Sequence, residues 1–217
     1  MRPLALASLV SALALAAYAA RPAPPRLAPE AAGVAGGAAG GAAAWSAPAV
    51  RTRVDARTYA VEGATADAVH RSMRRRGPTM GGATYFGMTE SEIRVRFRTR
   101  PGGGGCRLDG VEVDLDVTVT LPAWEPDGPT DYALRRDWAR FSSALRRHED
   151  GHRARAEAGA RAVADALAAV RAPTCAAADA AAQRAVQAAQ DRTAADQEHY
   201  DHTTDHGRTE GAAWPVR

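Results

Sequence analysis

A change of period constrains this chain more than any other feature. From Val111 to Leu121 the apolar residues Val111, Val113, Leu115, Val117, Val119 and Leu121 alternate without a break with Glu112, Asp114, Asp116, Thr118 and Thr120. Successive side chains of a strand point to opposite faces, so this stretch reads as a half-buried strand. After a short gap the spacing becomes three and four, through Leu134, Trp138, Phe141, Leu145, His148, His152 and Ala156, then Gly159, Val163, Leu167 and Val170. That is the stripe of one long amphipathic helix, or two in series, with Asp131 as N-cap and Pro173 as stop. A strand region followed by a helical one predicts an α+β fold around a single core.

The flanking stretches fill in that fold. Val50–Val54 and Thr58–Val61 predict a strand broken by Gly63, and Thr65 caps a short helix that runs to Arg75 and stops at Gly77-Pro78. Thr84–Met88 is β-prone. Ile93, Val95 and Phe97 alternate with Arg94, Arg96 and Arg98, and Gly102–Gly105 supplies a turn into the clearest strand. The acidic face of that strand can pair with the Arg face, which makes Asp114 and Asp116 solvated partners and not a metal pair. A second, Ala-rich helix is expected from Ala177 to about Glu198, and the tail from His199 to Arg217 reads as irregular. The expectation is a twisted, mostly antiparallel sheet packed on the long helix.

Charge and cysteines set the setting. With 28 basic and 25 acidic residues the net charge is +3, too small a field for a nucleic-acid binder. Met1–Ala20 carries Arg2, an apolar run and Ala17-Tyr18-Ala19, the pattern of a cleaved export signal too short to span a bilayer. Residues 21–48 are mostly Ala, Pro and Gly and read as a disordered spacer, leaving 49–217 as the folded domain. The chain is thus expected outside the cytoplasm, secreted or in the periplasm or cell envelope, with no membrane span once the leader is removed. Cys106 and Cys175 are the only cysteines, and in an oxidising compartment an even count predicts a disulfide between them.

The chemistry lies in His148-Glu149-Asp150-Gly151-His152, an HExxH sequence on the long helix. Residues four apart share a helix face, so both imidazoles can converge on one Zn²⁺ while Glu149 reaches a water there as general base. This predicts a metallopeptidase-like hydrolase acting on a peptide or protein substrate, within a zincin-like fold. Gly151 in a helix of an Ala-rich protein predicts close approach by another backbone, a substrate or the metal-binding tail. The third ligand is open. Arg155 and Ala158 stand where a continued Gly and His pattern would fall, leaving His199, His202, His206, Asp201 and Asp205 as candidates. Two other readings remain: a zinc-binding envelope protein without turnover, and an interaction module whose helix only mimics HExxH.

The combination of Leu121-Pro122-Ala123-Trp124 as a turn, Trp138 to Phe141 ahead of HExxH, and Tyr200, Asp201, Thr204, His206 and Gly207 at the end resembles the DUF922 family of secreted zinc-dependent proteases. The resemblance spans roughly Val50 to Ala213. It implies His206 as the third ligand, with His199 and His202 at variable positions. It also suggests that Tyr200 hydrogen-bonds a developing oxyanion and that Asp201 orients a ligand from behind it.

Overall fold

The computed structural model describes residues 48–215, so the expected leader (1–20), and all but the last residue of the spacer (21–48), lie outside the described residues. The alternating stretch is the central strand, β5 (Gly105–Glu125). It pairs antiparallel with β4 (Met88–Gly102) on one edge and parallel with β1 (Ala49–Glu62) on the other. The sheet is therefore mixed, where a mostly antiparallel one was expected. Between β1 and β4 come only α1 (Ala66–Arg76) and a small hairpin of β2 (Thr79–Met80) and β3 (Ala83–Thr84). The chain then descends along β4 and returns up β5 beside β1. Alternation marks a strand but carries no sign of its direction relative to a distant neighbour.

The inner row of β5 makes the core. Leu108, Val113, Leu115 and Val117 are essentially inaccessible, and α2 (Tyr132–Ala168) lies across them. On the outer face the expected pairing occurs: Arg94 meets Asp116, and Arg96 reaches Asp114 at 2.7 Å and Glu112 at 3.1 Å. Such exposed pairs contribute about 0–1 kcal/mol each.

Three local expectations change. The residues Leu121–Trp124 are not a turn but the end of β5, in register with Thr58–Val61, and the Trp124 indole donates to the Gly63 carbonyl at 2.9 Å. Of Thr84–Met88 only the ends are in strands. The second helix, α3 (Cys175–Thr204), continues past Glu198 and absorbs the first part of the tail expected to be irregular. Tyr200 and Thr204 bury on the same face as Gln197, one turn or more apart, so tertiary packing extends a helix that sequence polarity alone would end.

α2 is one continuous helix. Asp131 caps it by accepting from the Leu134 N–H at 2.7 Å, and Thr174 caps α3 in the same way. A short strand, β6 (Arg171–Ala172), joins the two helices and pairs with the start of β5, where Cys106 and Cys175 form a disulfide across 69 residues of chain. α3 runs back along α2. Two glycines allow the contact: a Cβ on Gly159 would lie 2.3 Å from the Thr193 hydroxyl, and one on Gly151 would lie 2.3 Å from the Tyr200 hydroxyl. After α3, Asp205, His206 and Gly207 all adopt left-handed backbone conformations, and the chain turns back over α2. There Trp214 joins Trp138 and Phe141 in an aromatic cluster that Trp124 completes.

Candidate metal centre

His148 and His152 are one helical turn apart on the side of α2 that meets α3, and His148 is 3% exposed. Their Nε2 atoms face each other at 3.2 Å. Asp201, from the last turn of α3, brings its Oδ1 to 3.3 Å from His148 Nε2 and 3.0 Å from His152 Nε2. Three potential ligand atoms thus form a nearly equilateral triangle. A tetrahedral zinc ion bonded at 2.0–2.1 Å would hold its ligand atoms about 3.3 Å apart, so the triangle has the size of one coordination face. His148, His152 and Asp201 are the group that the described residues bring together in this way.

The remaining ring nitrogens support the fit. His148 Nδ1 lies 3.0 Å from a Glu210 carboxylate oxygen, and His152 Nδ1 lies 2.6 Å from Gln197 Oε1. Both partners are acceptors, so each Nδ1 carries a proton; each Nε2 offers an inward lone pair only where it carries no proton of its own, which is the form a metal takes. Two lone pairs and a carboxylate directed at one point repel one another unless a cation or a proton lies between them. Gln197 also donates to the His152 carbonyl at 3.0 Å, which fixes its amide orientation.

Electrostatics distinguishes the two carboxylates. Burial acts to raise Asp201, but hydrogen bonds from His148 and His152 outweigh it and hold the group well below the usual carboxylate range. Burial lowers His152, yet its contact with Asp201 prevails and raises it overall. Glu149 is raised, chiefly because it is buried, with a hydrogen bond from Thr89 opposing. That Thr89 hydroxyl, on the second residue of β4, donates to Glu149 Oε2 at 2.8 Å. Gly87 completes the wall, since a Cβ there would lie 2.6 Å from Glu149 Oε1. Glu149, His148, His152 and Asp201 line a cleft of about 820 Å³ together with Tyr85–Ser91 and Gly211–Pro215.

The residues singled out in the sequence fall into different places. His206 also lines the cleft, with Nδ1 3.5 Å from Asp201 Oδ1, but it stands outside the tight triangle. Asp201, expected to orient a ligand from behind it, stands beside the two histidines in the triangle. Tyr200 is not part of the cleft wall: its ring stacks on His148, with centroids 4.9 Å apart, and its hydroxyl contacts Glu210 at 3.1 Å. Burial and the Glu210 charge push the Tyr200 phenol up to about 12. His199, His202 and Asp205 are exposed. Gln197, Glu210, Thr89, Gly87 and Tyr85 escaped the sequence reading. Only Gln197 carried a signal, its spacing of three and four from Tyr200 and Asp201, which becomes visible once α3 is known to continue.

A family model described as "Bacterial protein of unknown function (DUF922)" matches residues 56–207. The chain belongs to the DUF922 family. None of the curated proteins and none of the solved structures compared with it matches. The DUF922 match runs from the middle of β1 to the left-handed turn at Gly207, and so includes His148, Glu149, His152 and Asp201. Glu210 lies beyond it. The sequence motif gains structural roles here: Thr204 donates to the Tyr200 carbonyl at 2.7 Å and accepts from the Gly207 N–H at 3.2 Å, which seals the turn. Gly207 leaves room for the His148 ring, 2.8 Å from where its Cβ would stand.

Proposed function

We propose that this DUF922 chain is an exported zinc-dependent peptidase with a zincin-like catalytic arrangement, in which His148, His152 and Asp201 hold the ion. The convergence of two Nε2 lone pairs and one carboxylate beside a buried glutamate supports this reading most directly. A bound zinc would supply Lewis acidity, polarising a carbonyl and bringing the pKa of a water toward about 7. Glu149 then accepts the proton of the attacking water and delivers it to the leaving amine, a role suited to a carboxyl group whose affinity for protons burial has increased. Thr89 and Gly87 hold that carboxylate in one orientation.

The substrate has a natural seat. Among the described residues no strand pairs with the outer edge of β4, and Met88–Ser91 of that strand line the cleft. An extended peptide can add there by main-chain hydrogen bonds, across from Glu149. The disulfide and the leader pattern support an oxidising destination, secreted or in the cell envelope. No described helix is long and apolar enough to cross a membrane.

The deciding experiment measures zinc by elemental analysis and cleavage of labelled casein on the same preparations. Wild type should carry about one zinc per chain and cleave. His148→Ala, His152→Ala and Asp201→Asn should lose the metal, whereas Glu149→Gln should keep it and lose about 10²–10⁴-fold in rate. Zinc retained without any Glu149-dependent cleavage would favour the non-catalytic zinc-binding protein. Absence of zinc from wild type purified without chelator would leave only a helix that mimics the motif. His206→Ala separates the two candidates for the third ligand: it should weaken binding far less than Asp201→Asn.

A further inference from the structure

The segment before β4 that shares the cleft with the histidines is held more firmly than its loop character suggests. Between β3 and β4 the residues Tyr85–Gly87 belong to no strand, yet each is tied down. The Tyr85 N–H donates to the Pro78 carbonyl at 2.9 Å, and Gly77 packs so closely on the Tyr85 carbonyl that a Cβ would lie 2.2 Å from it. The Tyr59 hydroxyl donates to the Phe86 carbonyl at 2.8 Å, and Gly87 abuts Glu149. This anchoring presents the half-buried Tyr85 in the wall of the cleft that also contains His148, Glu149 and Asp201.

Its hydroxyl has no hydrogen-bond partner within the described residues. A phenol is protonated at neutral pH, and burial raises Tyr85 further, so its hydroxyl is available as a donor. The other tyrosine of the site is differently engaged, since Tyr200 gives its hydroxyl to Glu210 behind His148.

We propose that Tyr85 is a catalytic residue, whose hydroxyl donates to the oxygen of the scissile carbonyl as negative charge develops there. The inference rests on the peptidase reading and assigns to Tyr85 the role that sequence resemblance suggested for Tyr200. A donor preset in a partly dried wall stabilises charge that appears only in the transition state, and so acts on kcat more than on KM. Tyr200 becomes a positioning residue that keeps Glu210 on His148.

The test compares zinc-loaded wild type, Tyr85→Phe and Tyr200→Phe by zinc affinity, casein cleavage, and calorimetric binding of a dipeptide phosphonate, whose charged oxygens imitate the transition state. Tyr85→Phe should keep wild-type zinc affinity, lose about 10²–10³-fold in kcat with KM little changed, and bind the phosphonate at least tenfold more weakly. Tyr200→Phe should instead lower zinc affinity. A Tyr85→Phe protein within twofold of an active wild type in both kcat and phosphonate affinity overturns this inference and leaves the peptidase reading standing. So does a loss of kcat at full zinc loading confined to Tyr200→Phe. A wild type without zinc, or one with zinc that neither cleaves casein nor binds the phosphonate, overturns both.

Discussion

The two ends of the α2–α3 pair solve the same packing problem by opposite means. At the end near β6, small and apolar residues do the work: Ala160, Val163, Ala164 and Leu167 of α2 are buried, as are Ala178 and Ala182 of α3, and the Cys106–Cys175 disulfide fastens α3 to the sheet. At the other end the buried groups are His148, Glu149, Gln197, Tyr200 and Thr204, each engaged in hydrogen bonds around the place where His148, His152 and Asp201 converge. The first end is stable as it stands. The second gathers lone pairs and a carboxylate that only a cation or a proton reconciles, the kind of local conflict that proteins keep where a ligand binds. Both ends nevertheless depend on a glycine in α2, Gly159 in one and Gly151 in the other.

Cutting the covalent end should have the largest effect on stability. The Cys106→Ala, Cys175→Ala double variant releases a loop of 69 residues and should lose roughly 4 kcal/mol against the oxidised protein on the loop-entropy model, measured by denaturant titration. Because that end is remote from the histidines, folded variant should still bind zinc. Loss of zinc from folded protein would show that the two ends are not independent.

The glycines allow a matched comparison. Gly151→Ala and Gly159→Ala each force a Cβ into contact with a side chain of α3, and each should cost about 1–3 kcal/mol despite alanine's better helix propensity. Only Gly151→Ala should also lower zinc affinity, since it displaces Tyr200 from His148 and Glu210. Equal zinc affinity in the two variants would contradict the division between the ends.

Within the polar end, Glu210→Gln probes the support of a single ligand. The amide can still accept from His148 Nδ1 but loses the charge, so zinc affinity should fall about 10- to 100-fold with the fold unchanged, read by competition with a chelating dye.

The smallest expected effect is in the pH dependence of the polar end. In metal-free protein the lowered Asp201 contributes stability that is complete above about pH 4 and is lost as pH falls through its folded value. The raised His152 contributes stability that is complete below about pH 6.5 and is lost as pH rises through its folded value. The cluster should therefore help most between about pH 4 and 6.5 and less above that range. Zinc binding has the opposite sign, because the ligands must shed protons. The gap in Tm between zinc-loaded and stripped protein should widen from pH 6 to pH 8; a constant gap would count against a histidine-based site.

How much of this was legible beforehand follows from the range of each interaction. The β5 alternation, the α2 stripe with its cap at Asp131, the HExxH face and the disulfide partners are written in short periods, local caps or a count of two cysteines. The parallel pairing of β1 is not, because strand periodicity is the same in either direction. Nor is the end of α3, because Gln197, Tyr200 and Thr204 are polar or aromatic residues whose burial requires α2 to be present.

By itself, then, the sequence determined most of the local conformations, the two-histidine helix face and the position of Glu149 beside it, because helix geometry converts a spacing of four directly into shared direction. Only the tertiary structure decided that Asp201 meets the histidines, that Tyr200 and Glu210 lie behind them, and that Tyr85 shares their cleft. These residues come from α3, the turn after it and the approach to β4. Their meeting depends on where helices cross and which glycines let them approach, and no spacing along the chain encodes that.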